Sequence, residues 1–405
     1  MNKEIFSTAD ILLPDGVDYK KWSIIACDQF SSEFDYWDRV QAAVSNEPST
    51  LNMMIPEAYL DGVDIVKEAG DIRAAMEEYA SRGIFREVEN SYIYVERTLT
   101  NGQIRRGLVG AVNLDDYDFS GKKASILASE GTVLDRLPAR ILVRREAPLE
   151  LPHIMAFIND IDKTVIEPLS EKTKGNPPLY DFDLMEDGGH IRGVRIFGSA
   201  AEEVTAALLE LAVKNETLMV IGDGNHSLAA AKVYWDELKQ NLGKAESKTH
   251  PAGKALLELN NVYDPAIDFE AIHRVIFNVD HQDCIEKLTE CLPTGNDYIL
   301  RWVSGENSGS IGISAACIGD MLTAVQAFLD DYMNQTGCRI DYIHGEDTVS
   351  RLTKESNRLG LILPAMDKSE LFATVAGAGV FPKKSFSVGH ARDKRYYLEC
   401  RRITK

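Results

Sequence analysis

Two apolar-rich runs, Ser91-Tyr92-Ile93-Tyr94-Val95 and Ile104 to Val112, flank the dipeptide Asn101-Gly102. The pattern predicts a β-hairpin closed by a type I′ turn, because Asn-Gly supplies the two positive φ angles that turn requires. Upstream, Trp22-Ser23-Ile24-Ile25-Ala26-Cys27 reads as a short buried strand, and Asp71 to Ser81 as a helix stopped by Gly83. Ala201 to Ala212 predicts a helix with Val204, Leu208, Leu211 and Ala212 on one stripe. A fully apolar strand, Thr217-Leu218-Met219-Val220-Ile221, then passes through the turn Gly222-Asp223-Gly224-Asn225 into a second helix from about His226 to Gln240. Helices follow around Ile285 to Cys291, Asp320 to Asn334 and Lys368 to Ala376. They are joined by a polar interval at Ser304 to Ser310 and a strand-like tail from Lys394 to Arg401.

Strands and helices are interspersed without a fixed repeat, which predicts an α+β fold of mixed sheets with packed helices. Three regions are expected: 1–125, a core region 126–280 that carries the turn, and 281–405. With 405 residues, 44% hydrophobic and 26% charged, the chain has ample material for large cores and is not a disordered sequence. The N-terminus, Met1-Asn2-Lys3-Glu4-Ile5-Phe6, lacks a secretory pattern, and no apolar run approaches the roughly 18 residues of a membrane span. A cytoplasmic protein without a membrane partner is expected. Six cysteines with no CxxC pair fit reduced thiols better than a zinc site.

The net charge of −19 argues against nucleic acid as a partner. Its distribution is uneven. Pro382 to Lys405 carries eight Lys and Arg against two Asp and Glu, a local +6 that leaves −25 for the rest. This stretch is either a ligand contact or a basic terminal strand lying on an acidic body. Arg136, Arg140, Arg144 and Arg145 also form a run free of Asp and Glu; Pro138 argues against a regular helix there.

The chemistry concentrates at Gly222-Asp223-Gly224-Asn225-His226-Ser227. A strand delivers the chain to a two-glycine turn where a helix begins, and the unpaired N–H groups of a helix start bind anions, phosphate above all. Gly222 and Gly224 would admit a ligand close to the backbone, Asn225 would cap the helix, and His226 and Ser227 would stand in its first turn. Asp223 would hold a divalent metal or take a hydroxyl proton. The same residues also make an ordinary tight turn. Asp28 and Gln29 sit where a strand end often presents polar groups to a cleft, whereas His153 in Leu-Pro-His reads as a core or turn histidine.

The motifs WSIIACDQF at 22–30, SEGTVLDR at 129–136, LELPH at 149–153, Gly222 to Ser227, ELNNVYD at 258–264, Ile272-His273-Arg274 and Lys384-Ser385 together resemble the domain-of-unknown-function family 1015. Many members carry Asp-Gly-His-His-Arg where this chain has Asp-Gly-Asn-His-Ser. The fuller motif is similar to one in free-serine kinases of the ParB/sulfiredoxin-like fold, which bind nucleotide phosphates at that loop. Asp223, Gly224 and His226 match; Asn225 and Ser227 depart, which removes an arginine clamp. The resemblance implies a ParB/sulfiredoxin-like nucleotide-binding core. It also implies a kinase acting with ATP or another phosphoryl donor and Mg²⁺ on a small hydroxylated metabolite such as free serine. In that reading His226 contacts or protonates an oxygen of the transferred group, and Asp223 or Glu130 takes the hydroxyl proton. Thr132, Arg136, Arg140, His273 and Arg274 then complete the phosphate site. A non-catalytic nucleotide- or metabolite-sensing protein would use the same loop without chemistry.

Overall fold

The apolar-rich runs within Phe85–Thr98 and Ile104–Asn113, buried continuously over 91–95 and 107–112, build an antiparallel hairpin, with Thr98 opposite Ile104. The computed structural model describes residues 4–405. The turn differs from the sequence expectation. Gly102 has φ +83° while Asn101 has no positive φ, and the Gly102 N–H bonds the Leu99 carbonyl at 2.9 Å. The Asn101 side chain instead accepts the Gln103 N–H at 2.9 Å, so the loop is longer than a two-residue I′ turn.

This hairpin seeds a mixed sheet that runs Tyr180–Asp183, His190–Ile196, Phe85–Thr98, Ile104–Asn113, Lys254–Asn261, Met155–Ile158 and Met219–Asp223. Among these seven strands the pairings are antiparallel except that Lys254–Asn261 runs parallel to Met155–Ile158; beyond them the sheet ends in a parallel pair, Ile126–Ala128 with Tyr117–Asp118. Trp22, Trp37, Ile93, Val95, Val109 and Leu256 are buried in the core on this sheet. The Leu137–Glu146 helix packs on both Ile65–Ser81 and Asn225–Lys239, joining Leu137 to Ala229 and Ala230. Pro138 does not prevent that helix: it lies in the first turn, where no intrahelical N–H is needed.

The described chain separates into two compact units. One comprises the chain up to Leu127, Thr132–Ile267 and His390–Lys405; the other comprises Ala128–Gly131 and Asp268–Gly389. The second has its own sheet, ordered Asn307–Ile313, Thr294–Ser304, Arg358–Ile362, Phe269–Phe277 and Arg339–His344, with every pairing antiparallel. The polar interval at 304–310 is thus the tip and return strand of a hairpin. Its strand reads as loop because residues 307–310 are exposed and show no apolar alternation. The Trp22 to Cys27 stretch forms only the two-residue strand Ile24–Ile25, since Trp22 closes a helical turn, Tyr19–Trp22. No helix among the described residues is long and apolar enough to cross a membrane. The observed class is the α+β arrangement of mixed sheets and packed helices expected from the sequence.

Candidate functional site

Met219–Asp223 pairs with Met155–Ile158 with a bulge at Gly222, between the Ile221–Ala156 and Asp223–Met155 pairs; the chain leaves the sheet after Asp223 and turns at Gly224. A Cβ on Gly222 would collide with the Phe157 ring, and one on Gly224, where φ is +76°, would lie 2.9 Å from Ile154. Packing inside the protein therefore demands both glycines, where the sequence had suggested close ligand approach. Gly224, not Asn225, is the N-cap of the Asn225–Lys239 helix, and no side chain caps it. The Ser227 and Leu228 N–H groups return to the Gly224 carbonyl at 3.0 and 3.1 Å, while the His226 N–H has no acceptor among the described residues. The helix starts with a spare donor at the positive end of its dipole.

His226 accepts the Val133 N–H on Nε2 at 3.2 Å, which requires that nitrogen to be unprotonated. Burial, then the charges of Arg140 and Arg136, push its pKa down to about 4 against the pull of Asp28. The ring is neutral near pH 7 and offers only its Nδ1–H. In that state it can donate a hydrogen bond, which suits contact with an oxygen, the first of the two roles expected of it, more than protonation. Asp223 accepts the Gly224 N–H at 2.9 Å and places Oδ2 3.2 Å from Lys394 Nζ.

The other predicted residues divide. Thr132 adjoins Val133 and has a buried Oγ1 without a hydrogen-bond partner. Arg136 is exposed and in no ion pair among the described residues, and Arg140 is ion-paired to Glu57. Ser227 Oγ stands 3.4 Å from His153 Nε2. Glu130 belongs to the other unit, where it accepts the backbone N–H groups of Lys384 and Ser385 at 3.4 and 3.3 Å. That anchors a loop in which Lys384 holds φ +56°. His273 and Arg274 lie in that unit too and are buried. His273 Nδ1 accepts the Leu363 N–H at 3.2 Å. Arg274 donates to the Ile272 and Lys384 carbonyls at 2.5 and 2.9 Å and to Gln326 at 3.2 and 3.3 Å. Both side chains hold their own unit together instead of presenting donors to a ligand.

A family model matches residues 12–385. The chain belongs to the family described as protein of unknown function (DUF1015). No curated protein matches it. Solved structures similar to this DUF1015 chain include a free serine kinase in complex with AMP, at 13% identity over 71% of this chain and 90% of that one, TM-score 0.39. Others are a conserved hypothetical protein from Pyrococcus furiosus, at 12% over 71% and 93%, TM-score 0.36, and SbnI with C-terminal truncation from Staphylococcus aureus, at 9% over 69% and 82%, TM-score 0.38.

In this DUF1015 member the residues around the turn include several that sequence reading undervalued. Burial alone would raise the pKa of Asp28, but His153, the Gln29 amide at 3.0 Å, Lys394 and Arg140 outweigh it and hold the carboxyl below the usual range. Asp28 is an ionised base beside His153 and Lys394. Cys27 next to it is pushed up to about 12 by burial and by Asp28, so it is an inert thiol. Part of the basic tail is buried: Lys394, Arg395 and Arg401 lie inside, whereas Lys383, Lys384, Arg402 and Lys405 are exposed. Arg395 is 3% exposed and pairs with Glu258 and, at 2.5 Å, with Glu399, placing Lys394 on Asp223. Among the described residues no group of three or more His, Cys, Asp or Glu could hold a metal. The Lys394 ammonium occupies the side of Asp223 that a cation would need. These residues do not fit a resident Mg²⁺.

Proposed function

We propose that the turn at 223–227 binds the phosphate of a small phosphorylated ligand, a nucleotide first, and that the protein transfers its terminal phosphoryl group to a small hydroxylated metabolite. The observation that carries this reading is an uncapped helix start with a spare N–H and a neutral histidine, in the field of Arg136 and Arg140 and beside the ionised Asp28. The acceptor hydroxyl oxygen attacks the terminal phosphorus. Its new P–O bond forms as the bond to the departing phosphate breaks, and the hydroxyl proton passes to Asp28. A carboxylate of low basicity suffices, because the hydroxyl loses its proton late in a loose transition state. The His226 N–H and Nδ1–H hold non-bridging oxygens, and Arg136 neutralises the developing charge.

Phosphorus NMR of the protein with ATP, ADP or pyrophosphate and a panel of amino acids, hydroxy acids and polyols tests the reading, with free serine the reference acceptor. Turnover is expected with one donor, and Asp28→Asn should lower it about 100-fold or more. No product with any donor, or full activity in Asp28→Asn, contradicts it. A sensing role without chemistry is the second reading, favoured by Ser227 standing where the family's motif has a clamping arginine. Thermal stabilisation by a nucleotide without product formation selects it.

A further inference from the structure

One cavity of about 160 Å³ opens beside the phosphate turn, with Ser227 and His153 in its wall. Its volume is close to that of an engineered apolar cavity that accepts benzene, so it suits a body of about six to eight heavy atoms. Met53, Met54 and Ile65 give it an apolar wall, and Arg144 contributes a guanidinium.

The charges around Arg144 do not balance. Glu150, 7% exposed, has Oε2 2.7 Å from Arg144 Nη2 and Oε1 2.6 Å from Arg401 Nε, and it also accepts the Leu256 N–H at 2.9 Å. One carboxylate is shared by two guanidiniums. Arg401 also donates from Nη1 and Nη2 to the Pro251 and Lys254 carbonyls at 3.0 and 2.6 Å. Arg144 has no partner besides Glu150 among the described residues, and its buried Nε is unbonded. Arg140, in contrast, is matched by Glu57. A positive charge without its own counterion in an apolar wall calls for an anionic group on a largely apolar molecule.

We infer that this cavity binds a small carboxylic acid with an apolar body, its carboxylate on Arg144 and its body against Met53, Met54 and Ile65. Within the phosphotransfer reading, on which this assignment of role rests, the ligand is the acceptor, a hydroxy acid whose hydroxyl faces His153 and Ser227. Free serine fits less well, because its ammonium would meet only Glu57, already held by Arg140, and Glu150, already held by Arg144 and Arg401, and its side chain offers no apolar body.

Calorimetric titration without any phosphoryl donor tests the site, using α-hydroxyisocaproate, its neutral amide and glycolate. The acid should bind saturably, and the amide and glycolate each about tenfold or more weakly. The variant R144Q should abolish the preference for acid over amide. Equal affinity for acid and amide, or an unchanged preference in R144Q, overturns the inference. Should R144Q not fold, M54W fills the cavity and should abolish binding of the acid; retained binding overturns the inference equally. Titration with ADP separates the two readings. Acid binding without ADP binding removes the phosphate turn and leaves the carboxylate site standing; ADP binding without acid binding removes only the carboxylate site.

Discussion

Two histidine-containing segments, Asp223 to Ser227 in one unit and His273-Arg274 in the other, offer similar chemistry on paper and opposite chemistry in the fold. At His273-Arg274 the guanidinium is divided among two carbonyls and Gln326, and the ring nitrogen accepts a backbone N–H. At the turn the helix start lacks a side-chain cap, the His226 N–H lacks an acceptor, and Arg136 lacks an ion pair among the described residues. A cationic motif serves a ligand only where the fold has not already used its donors. The accounting of buried polar groups, and not the residue types, separates structural from functional arginines.

Substitutions can break or sharpen this contrast. The largest expected effect is that of Arg274→Ala: three hydrogen-bond partners and the stacking on Tyr342 are lost, costing about 3–5 kcal/mol in urea unfolding, with ADP affinity of the folded protein unchanged. Gly224→Ala forces a side chain into left-handed backbone against Ile154 and should cost about 1–3 kcal/mol while weakening ligand binding. Arg136→Ala should leave stability within about 0.5 kcal/mol and weaken ADP binding about tenfold, the reverse of the Arg274 outcome. A further effect concerns pH. His226 titrates near 6.5 when unfolded and about 4 when folded, so its contribution to stability is complete above the unfolded value and is lost as pH falls from there toward 4. His226→Gln keeps an acceptor for the Val133 N–H and should flatten that acid limb of the melting curve. An unchanged limb would show that the ring is not held neutral. His250 and His273, depressed by burial, remain in both proteins as background.

Most of the regular structure was legible because it rests on local periodicity. The stripe Val204, Leu208, Leu211 faces the core in Ser199–Lys214, and the strand, turn and helix at Met219–Asp223 and Asn225–Lys239 follow one another as the apolar run implies. Elements set by their neighbours were not legible. The exposed return strand Asn307–Ile313 has no apolar face to reveal it, and Pro138 signals a broken helix unless its place in the first turn is known. At the site, the turn itself could be read from its glycines and its helix, yet what those glycines answer to, Phe157 and Ile154, is a matter of tertiary packing. Lys394 reaches Asp223 from far along the chain, and Asp28 gains its strength as an acid from His153, Lys394 and Arg140 together. Only the surplus of positive charge in the tail hinted at this. Its meaning, buried pairs such as Arg395 with Glu258 and Glu399, depends on contacts that no local pattern encodes.

The central claim is that the donors left over at the 223–227 turn are there for a phosphate. Calorimetric titration of ADP into the wild-type protein, into Arg136→Ala and into Arg274→Ala tests it most directly. The expected result is saturable binding at one site, weakened about tenfold by Arg136→Ala and untouched by Arg274→Ala. No binding to the wild-type protein, or equal affinity in wild type and Arg136→Ala, would contradict it.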